Sequence, residues 1–326
     1  MNLLGIAEQG LILGFVALGV FMSFRVIDLA DLTPDGSYVL GGAVTVSLLY
    51  RGIPWYYAII CAFIITGISG FFTAVLYNKF KMNSLLASIL IMTMLYSVNL
   101  RIMDGPNISV PKDISEETVL YSESTSLDSF LGDLNISAEQ PDKKENRKTE
   151  YVSPFNNLSD GKDFLLLLII LLFSITVLSV FLKTDLGILL RGYGGNKEGV
   201  TSLGVNKNIL SITGLFIGNG FAGISGGIFS LYAGFSDVNM GQGIVVTSLA
   251  AIIIGEILIS RFNILYNLLC PVVGAVVYEI LLSFAMKYGY KIGFQPGDIK
   301  LLTSFFIVIV IGFRTLEVKK WLKLKM

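Results

Sequence analysis

Leu3-Leu-Gly-Ile-Ala-Glu-Gln-Gly-Leu-Ile-Leu-Gly-Phe-Val-Ala-Leu-Gly-Val-Phe-Met-Ser-Phe24 is apolar almost from end to end, with Glu8 its one charge before Arg25. About 20 such residues, wound as a helix, cross the hydrocarbon core of a bilayer. No positive segment precedes the run and no small-residue cleavage site follows it. It therefore reads as a retained helix and not as a signal peptide. Similar runs follow at about Ser37–Tyr50, Trp55–Tyr77, Ser84–Ile102, Phe164–Leu182, Ile209–Phe235, Gly243–Ile259, Ile264–Met286 and Ile299–Phe313. The second and seventh are short, which predicts tilted helices or half-helices buried inside the protein.

Composition agrees. Of 326 residues, 53% are hydrophobic and 15% charged, and the mean hydropathy is +0.72. An average soluble domain carries about 25% charged residues. The expectation is an all-α, polytopic membrane protein with eight to ten transmembrane segments, including broken or re-entrant helices, plus an extracytoplasmic polar insert. Residues 1–103 form the N-terminal transmembrane segments, 104–163 the insert, and 164–326 the C-terminal segments with a loop at 183–208. The insert holds 13 acidic and 6 basic residues, a net of −7, and no apolar run long enough to span. It reads as a tolerated surface loop or as a docking surface for an external partner.

Several chemistries are excluded. With no histidine, there is no Ser-His-Asp triad, histidine metal site or histidine base. Cys61 and Cys270 both lie in apolar runs and form no CxxC pair. No metal site and no cofactor is expected. A net charge of zero lacks the basic footprint of a nucleic-acid binder. No GxxxxGK[ST] sequence exists, so any ATP used must be hydrolysed by another subunit.

Positive charge sets orientation. Arg25, Lys79, Lys81, Lys183, Arg191, Lys197, Lys207, Arg261, Arg314, Lys319, Lys320, Lys323 and Lys325 fall on one side, 13 of the 24 basic residues. That side is read as cytoplasmic, with the C-terminus on it and the insert opposite. The location is then a cell (inner) membrane.

Two stretches carry polar groups where a span should be featureless. In Arg25-Val-Ile-Asp-Leu-Ala-Asp-Leu-Thr-Pro-Asp-Gly-Ser37, three carboxylates flank a break at Pro34 and Gly36. Thr33 before Pro34 suits an N-cap, and Asp35 the first turn of a helix. The plainer reading is capping. The functional one is a discontinuous helix whose terminus and side chains meet a solute, with Asp35 accepting an ammonium. The second stretch, Gly218-Asn219-Gly220-Phe221-Ala222-Gly223, matches GxGxxG, but its flanks are membrane helix, so the dinucleotide reading fails. Gly214, Gly218, Ala222, Gly226 and Ser230 recur every four residues, a ridge of small side chains for close helix packing. Asn219 within it either packs or lines a pathway.

Thr184-x-x-Gly187, Arg191, Gly194-Gly195-Asn196 and Gly204-Val205-Asn206 resemble the coupling-loop signature of ABC importer permeases of the branched-chain amino acid and ribose type. The glycine-rich run from Gly214 to Gly227 and Leu249-Ala-Ala-Ile-Ile-Ile-Gly-Glu256 continue the likeness. Asp31-Leu-Thr-x-Asp-Gly-Ser37 looks like the first-loop signature of a branch linked with aromatic amino acid uptake. The long insert departs from the pattern. The resemblance implies two cytoplasmic ABC ATPase subunits, an extracytoplasmic substrate-binding protein, and a second permease chain, read as a copy of the same one. It implies no enzyme activity of the chain itself. ATPase coupling is assigned to Arg191, Gly194, Asn196, Glu198 and Gly204, with a short helix near Lys197–Leu203. Substrate binding is assigned to Asp31, Thr33, Asp35, Ser37, Asn99 and Asn219, with Glu256 secondary. Tyr278 and Glu279 sit deep in a span and read equally as a site or as an interhelical hydrogen bond.

Three other classes remain open, of which a purely structural membrane protein leaves the broken Asp-rich segment unexplained. A secondary carrier driven by an ion gradient would use Asp35 or Glu279 but has no reason to possess the Thr184–Asn206 loop. A membrane enzyme would need an Asp pair, and Pro34 spoils the i,i+4 geometry of Asp31 and Asp35.

Overall fold

The computed structural model describes residues 3–111, 161–259 and 263–292, with a few single positions beyond. Most of the insert and most of the last apolar run at 299–313 therefore lie outside the described residues.

The described chain is helical wherever the sequence is apolar. The helices are α1 (Leu3–Phe21), α2 (Thr33–Tyr50), α3 (Trp55–Lys79), α4 (Ser84–Met103), α5 (Gly161–Lys183), α6 (Asp185–Gly195), α7 (Lys197–Ser202), α8 (Lys207–Ala233), α9 (Ile244–Leu258) and α10 (Ile264–Ile292). Among the described residues, six helical stretches are long and apolar enough to cross a membrane. One of them joins α1 to a π-helical turn at Met22–Val26. A bilayer offers the backbone no hydrogen bonds, so a chain inside it must satisfy its own amides.

One departure from an all-helical chain is a ladder of three residues a side. Strand β1 (Asn107–Ser109) pairs antiparallel with β2 (Phe235–Asp237). It ties the end of α4 to the end of α8, at the end of the bundle opposite Lys79 and Lys183. The end carrying those lysines and Arg25 is called the basic end below.

Helices α1 and α8 form the centre. Residues Leu11 to Leu18 of α1 are buried without exception. The small residues of α8 permit the closeness. A Cβ on Gly218 would press on the Gly19 backbone of α1, and one on Gly226 would collide with the Tyr38 carbonyl of α2. Gly220 and Gly223 meet Phe63 and Thr66 of α3. The ridge thus follows α1 and then passes onto α2. The outer helices α3, α4 and α5 expose Ile60, Ile64, Phe72, Leu86, Met94, Leu172 and Phe173, a surface suited to lipid.

Helix α9 has 15 residues, about 22 Å at 1.5 Å per residue, against a hydrocarbon core of about 30 Å. It begins inside the bundle, reached from β2 by a short descending turn. The short seventh run of the sequence is thus a half-helix.

Candidate functional site

The break after α1 places two carboxylates differently. Asp31 is fully buried. Its Oδ1 accepts from the Thr33 backbone N–H at 2.9 Å, and its Oδ2 from Asn219 Nδ2 at 2.8 Å. The Thr33 side chain makes no cap. Its hydroxyl lies 2.8 Å from that of Thr73 on α3. The cap expected of Thr33 is therefore supplied by Asp31, because the chain turns two residues before the helix starts.

From Asn219 the network runs on to α2 and α3. Ser37 Oγ donates to Asn219 Oδ1 at 2.7 Å and lies 2.7 Å from Ser69 Oγ. Each hydroxyl has one proton. An amide oxygen only accepts, so the Ser37 proton goes to Asn219, while the single proton of Ser69 has two acceptors in reach, Ser37 Oγ and the Thr66 carbonyl at 2.6 Å. Asn219 Nδ2 also donates to the Leu215 carbonyl at 3.0 Å. The arrangement is closed: Asp31, Thr33, Ser37 and Asn219 spend their polar atoms on one another and on α3. They hold three helices in register.

Asp35 faces the other way. Its oxygens accept the backbone N–H groups of Gly243 at 3.0 Å and Val245 at 2.9 Å. The carboxylate thus caps α9, where helix N–H groups and dipole favour an anion. Asp35 does occupy the first turn of α2, as expected. Its bonding partner, 208 residues on, has no local signal in the sequence. Asp35→Ala strands both donors. A melting temperature in detergent should fall by the equivalent of about 2 kcal/mol. An unchanged melt would show that α9 needs no such anchor.

Asp35 also lines a cavity of about 300 Å³ with Val39, Thr93, Tyr96, Asn99 and Gln242 among its neighbours. Asn99 is 1% exposed. Its Nδ2 donates to the Gly36 carbonyl at 3.2 Å, which fixes the amide's orientation. The Asn99 Oδ1 has no hydrogen-bond partner. A buried acceptor in that state costs about 1 to 3 kcal/mol. Of the six expected substrate residues, the structure brings Asp35 and Asn99 to an accessible space and seals the other four.

At the basic end, α6 and α7 pack on the turn between α1 and α2. Gly194 abuts the Val26 carbonyl so closely that a Cβ would collide with it. Lys197 Nζ donates to the Asp28 carbonyl at 2.9 Å and lies 3.5 Å from its carboxylate. Asp28 has φ +51°, a left-handed conformation that aspartate tolerates better than most residues. Tyr193 is buried beneath, and burial with Tyr77 alongside pushes its phenol up to about 12. Asn196 caps α7 through the Gly199 N–H at 2.8 Å, and Asn206 caps α8. Gly204 has φ +81°, which favours glycine. Gly194, Asn196 and Gly204 thus have structural reasons for their places. Glu198 is exposed on α7, and Leu203 beside it is 75% exposed. Arg191 turns to a cavity shared with Arg25. Glu256 pairs with Arg25 at 2.8 Å, which takes it out of the substrate set. Tyr278 is buried and Glu279 partly so on α10.

Sequence reasoning passed over Thr66, Ser69 and Thr73, the α3 side of the network. Their spacing of three and four residues in an apolar span was the available signal. It also passed over Thr93, Tyr96 and Leu203, which nothing local distinguishes.

The family described as "branched-chain amino acid transport system / permease component" matches residues 2–312. The chain belongs to that family. The permease is 32% identical over 319 residues to a protein of Clostridioides difficile named tyrosine transport system permease protein, covering 97% of this chain and 92% of that one. It is 33% identical over 314 residues to an uncharacterized protein of Rickettsia prowazekii, covering 95% and 96%. No solved structure matches. The resemblance seen in the coupling-loop residues therefore holds for nearly the whole permease, and with it a multi-pass membrane protein.

Proposed function

We propose that the chain is the membrane subunit of an ATP-driven importer for an amino acid, with tyrosine the first to test. The relative named for tyrosine transport supports the solute. One observation supports the coupling above all. Helices α6 and α7 rest on Val26 and Asp28, and the same turn leads within a few residues to Asp31 and Asp35. Movement of α7 against a partner ATPase would reach the network and the cavity through one short, strained connection. In this reading the basic end is cytoplasmic, in a cell (inner) membrane. The other end receives solute from a binding protein, with the insert beside it, and two copies of the chain enclose the path. Coupling contacts are assigned to the exposed Glu198 and Leu203, held in place by Gly194, Asn196 and Gly204.

The solute is assigned to the cavity of Asp35, Tyr96 and Asn99. Asn99 Oδ1 and the remaining lone pairs of Asp35 are acceptors, and among the described residues no lysine or arginine lines the space. The cavity suits an ammonium group, with Val39 and Val238 beside the rest of the molecule.

Uptake of labelled tyrosine in cells lacking the gene, restored by wild-type chain, tests both assignments. Glu198→Lys should abolish uptake at normal membrane abundance. Asn99→Leu should lower it at least tenfold while ATPase subunits still co-purify. Uptake that survives without any ATPase partner, and depends on protons or sodium, would favour an ion-driven carrier instead.

A further inference from the structure

Four helices meet at the basic end around a cavity of about 220 Å³. Arg25 reaches it from the π-helical turn after α1, and Arg191 from α6. Phe21, Leu182, Ile264 and Leu268 supply apolar walls from α1, α5 and α10. Apart from Arg191, which lies within the short α6 that follows Lys183, these residues lie at or near the ends of their helices, in the layer where α3 and α5 finish in Lys79 and Lys183. That is headgroup depth for a membrane protein.

The charge there does not balance. Arg25 is matched by Glu256 at 2.8 Å. Arg191 has no hydrogen-bond or ion-pair partner among the described residues. Two guanidiniums therefore stand against one carboxylate, with a surplus of one positive charge beside greasy walls. The flank of α6 continues the theme, because Leu186 and Ile188 stand about half exposed. Apolar residues on a short helix at this level enter the acyl boundary and not water.

We propose that this cavity binds the headgroup of an anionic phospholipid. The phosphate lies on Arg191, whose planar fork takes two phosphate oxygens, with Arg25 behind it. The glycerol and upper acyl chains lie along Phe21, Leu182, Ile264 and Leu268. A free phosphate would satisfy the charge but leave those walls uncovered. The site adjoins α6 and the Val26 turn, so its occupant would brace the coupling helices from the lipid side. It does not depend on which solute the permease carries.

The purified full chain would be equilibrated in vesicles of phosphatidylethanolamine with a minority of phosphatidylglycerol, extracted in mild detergent, and its retained lipid measured by mass spectrometry. Wild-type protein should retain phosphatidylglycerol above the vesicle ratio. Arg191→Gln should lower that enrichment about fivefold, as one lost arginine at a membrane surface implies. Arg191→Lys should restore much of it, and Arg51→Gln, at the other end, should leave it unchanged. Retention at the vesicle ratio overturns the proposal, as does an Arg191→Gln chain that retains as much as wild type. Displacement of the lipid by inorganic phosphate, with phosphate itself left bound, would make this a free-anion site and equally overturn it.

Discussion

Asp31→Leu should lower the stability of the purified permease by about 3 to 5 kcal/mol. The substitution removes both carboxylate oxygens from a fully buried position. The Thr33 N–H and one Asn219 N–H then lose their acceptors. A stranded buried donor costs about 1 to 3 kcal/mol, and more where the lost partner is ionisable. Water cannot repair the loss in a bilayer interior. The series should be graded. Asp31→Asn keeps one acceptor oxygen and turns an N–H toward whichever donor it fails to serve, so its cost should be near half. Thermal unfolding in detergent, followed by loss of monodisperse protein, ranks the variants. Equal stability of Leu, Asn and wild type would show that the network is incidental to the fold.

The second large effect is expected from one methyl group. Gly226→Ala puts a Cβ onto the Tyr38 carbonyl of α2. Backbone cannot swing aside as a flexible side chain can, so α2 and α8 must part. Overpacking of ordinary side chains costs about 1 to 3 kcal/mol, occasionally more, and a backbone collision belongs at or above the upper end. The separation would also pull Ser37 from Asn219, whose 2.7 Å bond joins the same two helices. Gly195→Ala is the control, since nothing lies within 4 Å of a Cβ there. Matching melts for the two variants would defeat the argument.

The helices were legible because hydropathy alone marks a span. No periodicity is needed where lipid surrounds the chain. The break before α2 was legible from Pro34, which cannot continue a helix backwards. The shortness of α9 was legible from its apolar run. The resemblance in the Thr184–Asn206 loop was carried by residues that shape backbone, namely two asparagine caps and a left-handed glycine. The partners of Asp35 were not legible. A carboxylate in the first turn of a helix looks the same whether it serves its own helix or another. Likewise Asn219 sat in a recognisable glycine ridge, yet its bonds to Asp31 and Ser37 depend on two crossings that a linear reading does not fix. The unsatisfied oxygen of Asn99 is still further from sequence, because it is defined by what fails to approach it.

The Asp35 clasp has one more consequence. It fastens a residue before the acidic insert to a helix well after it, and near the other end of α2 the β1–β2 pairing fastens the first residues of the insert itself to the chain just after α8. The halves on either side of the insert grip each other directly, at two depths. The covalent link between them therefore carries little mechanical duty. Lengthening such a link costs only a slowly growing loop entropy, about 0.6 kcal/mol per doubling. A fold joined in this way tolerates changes in the length of the link between its halves.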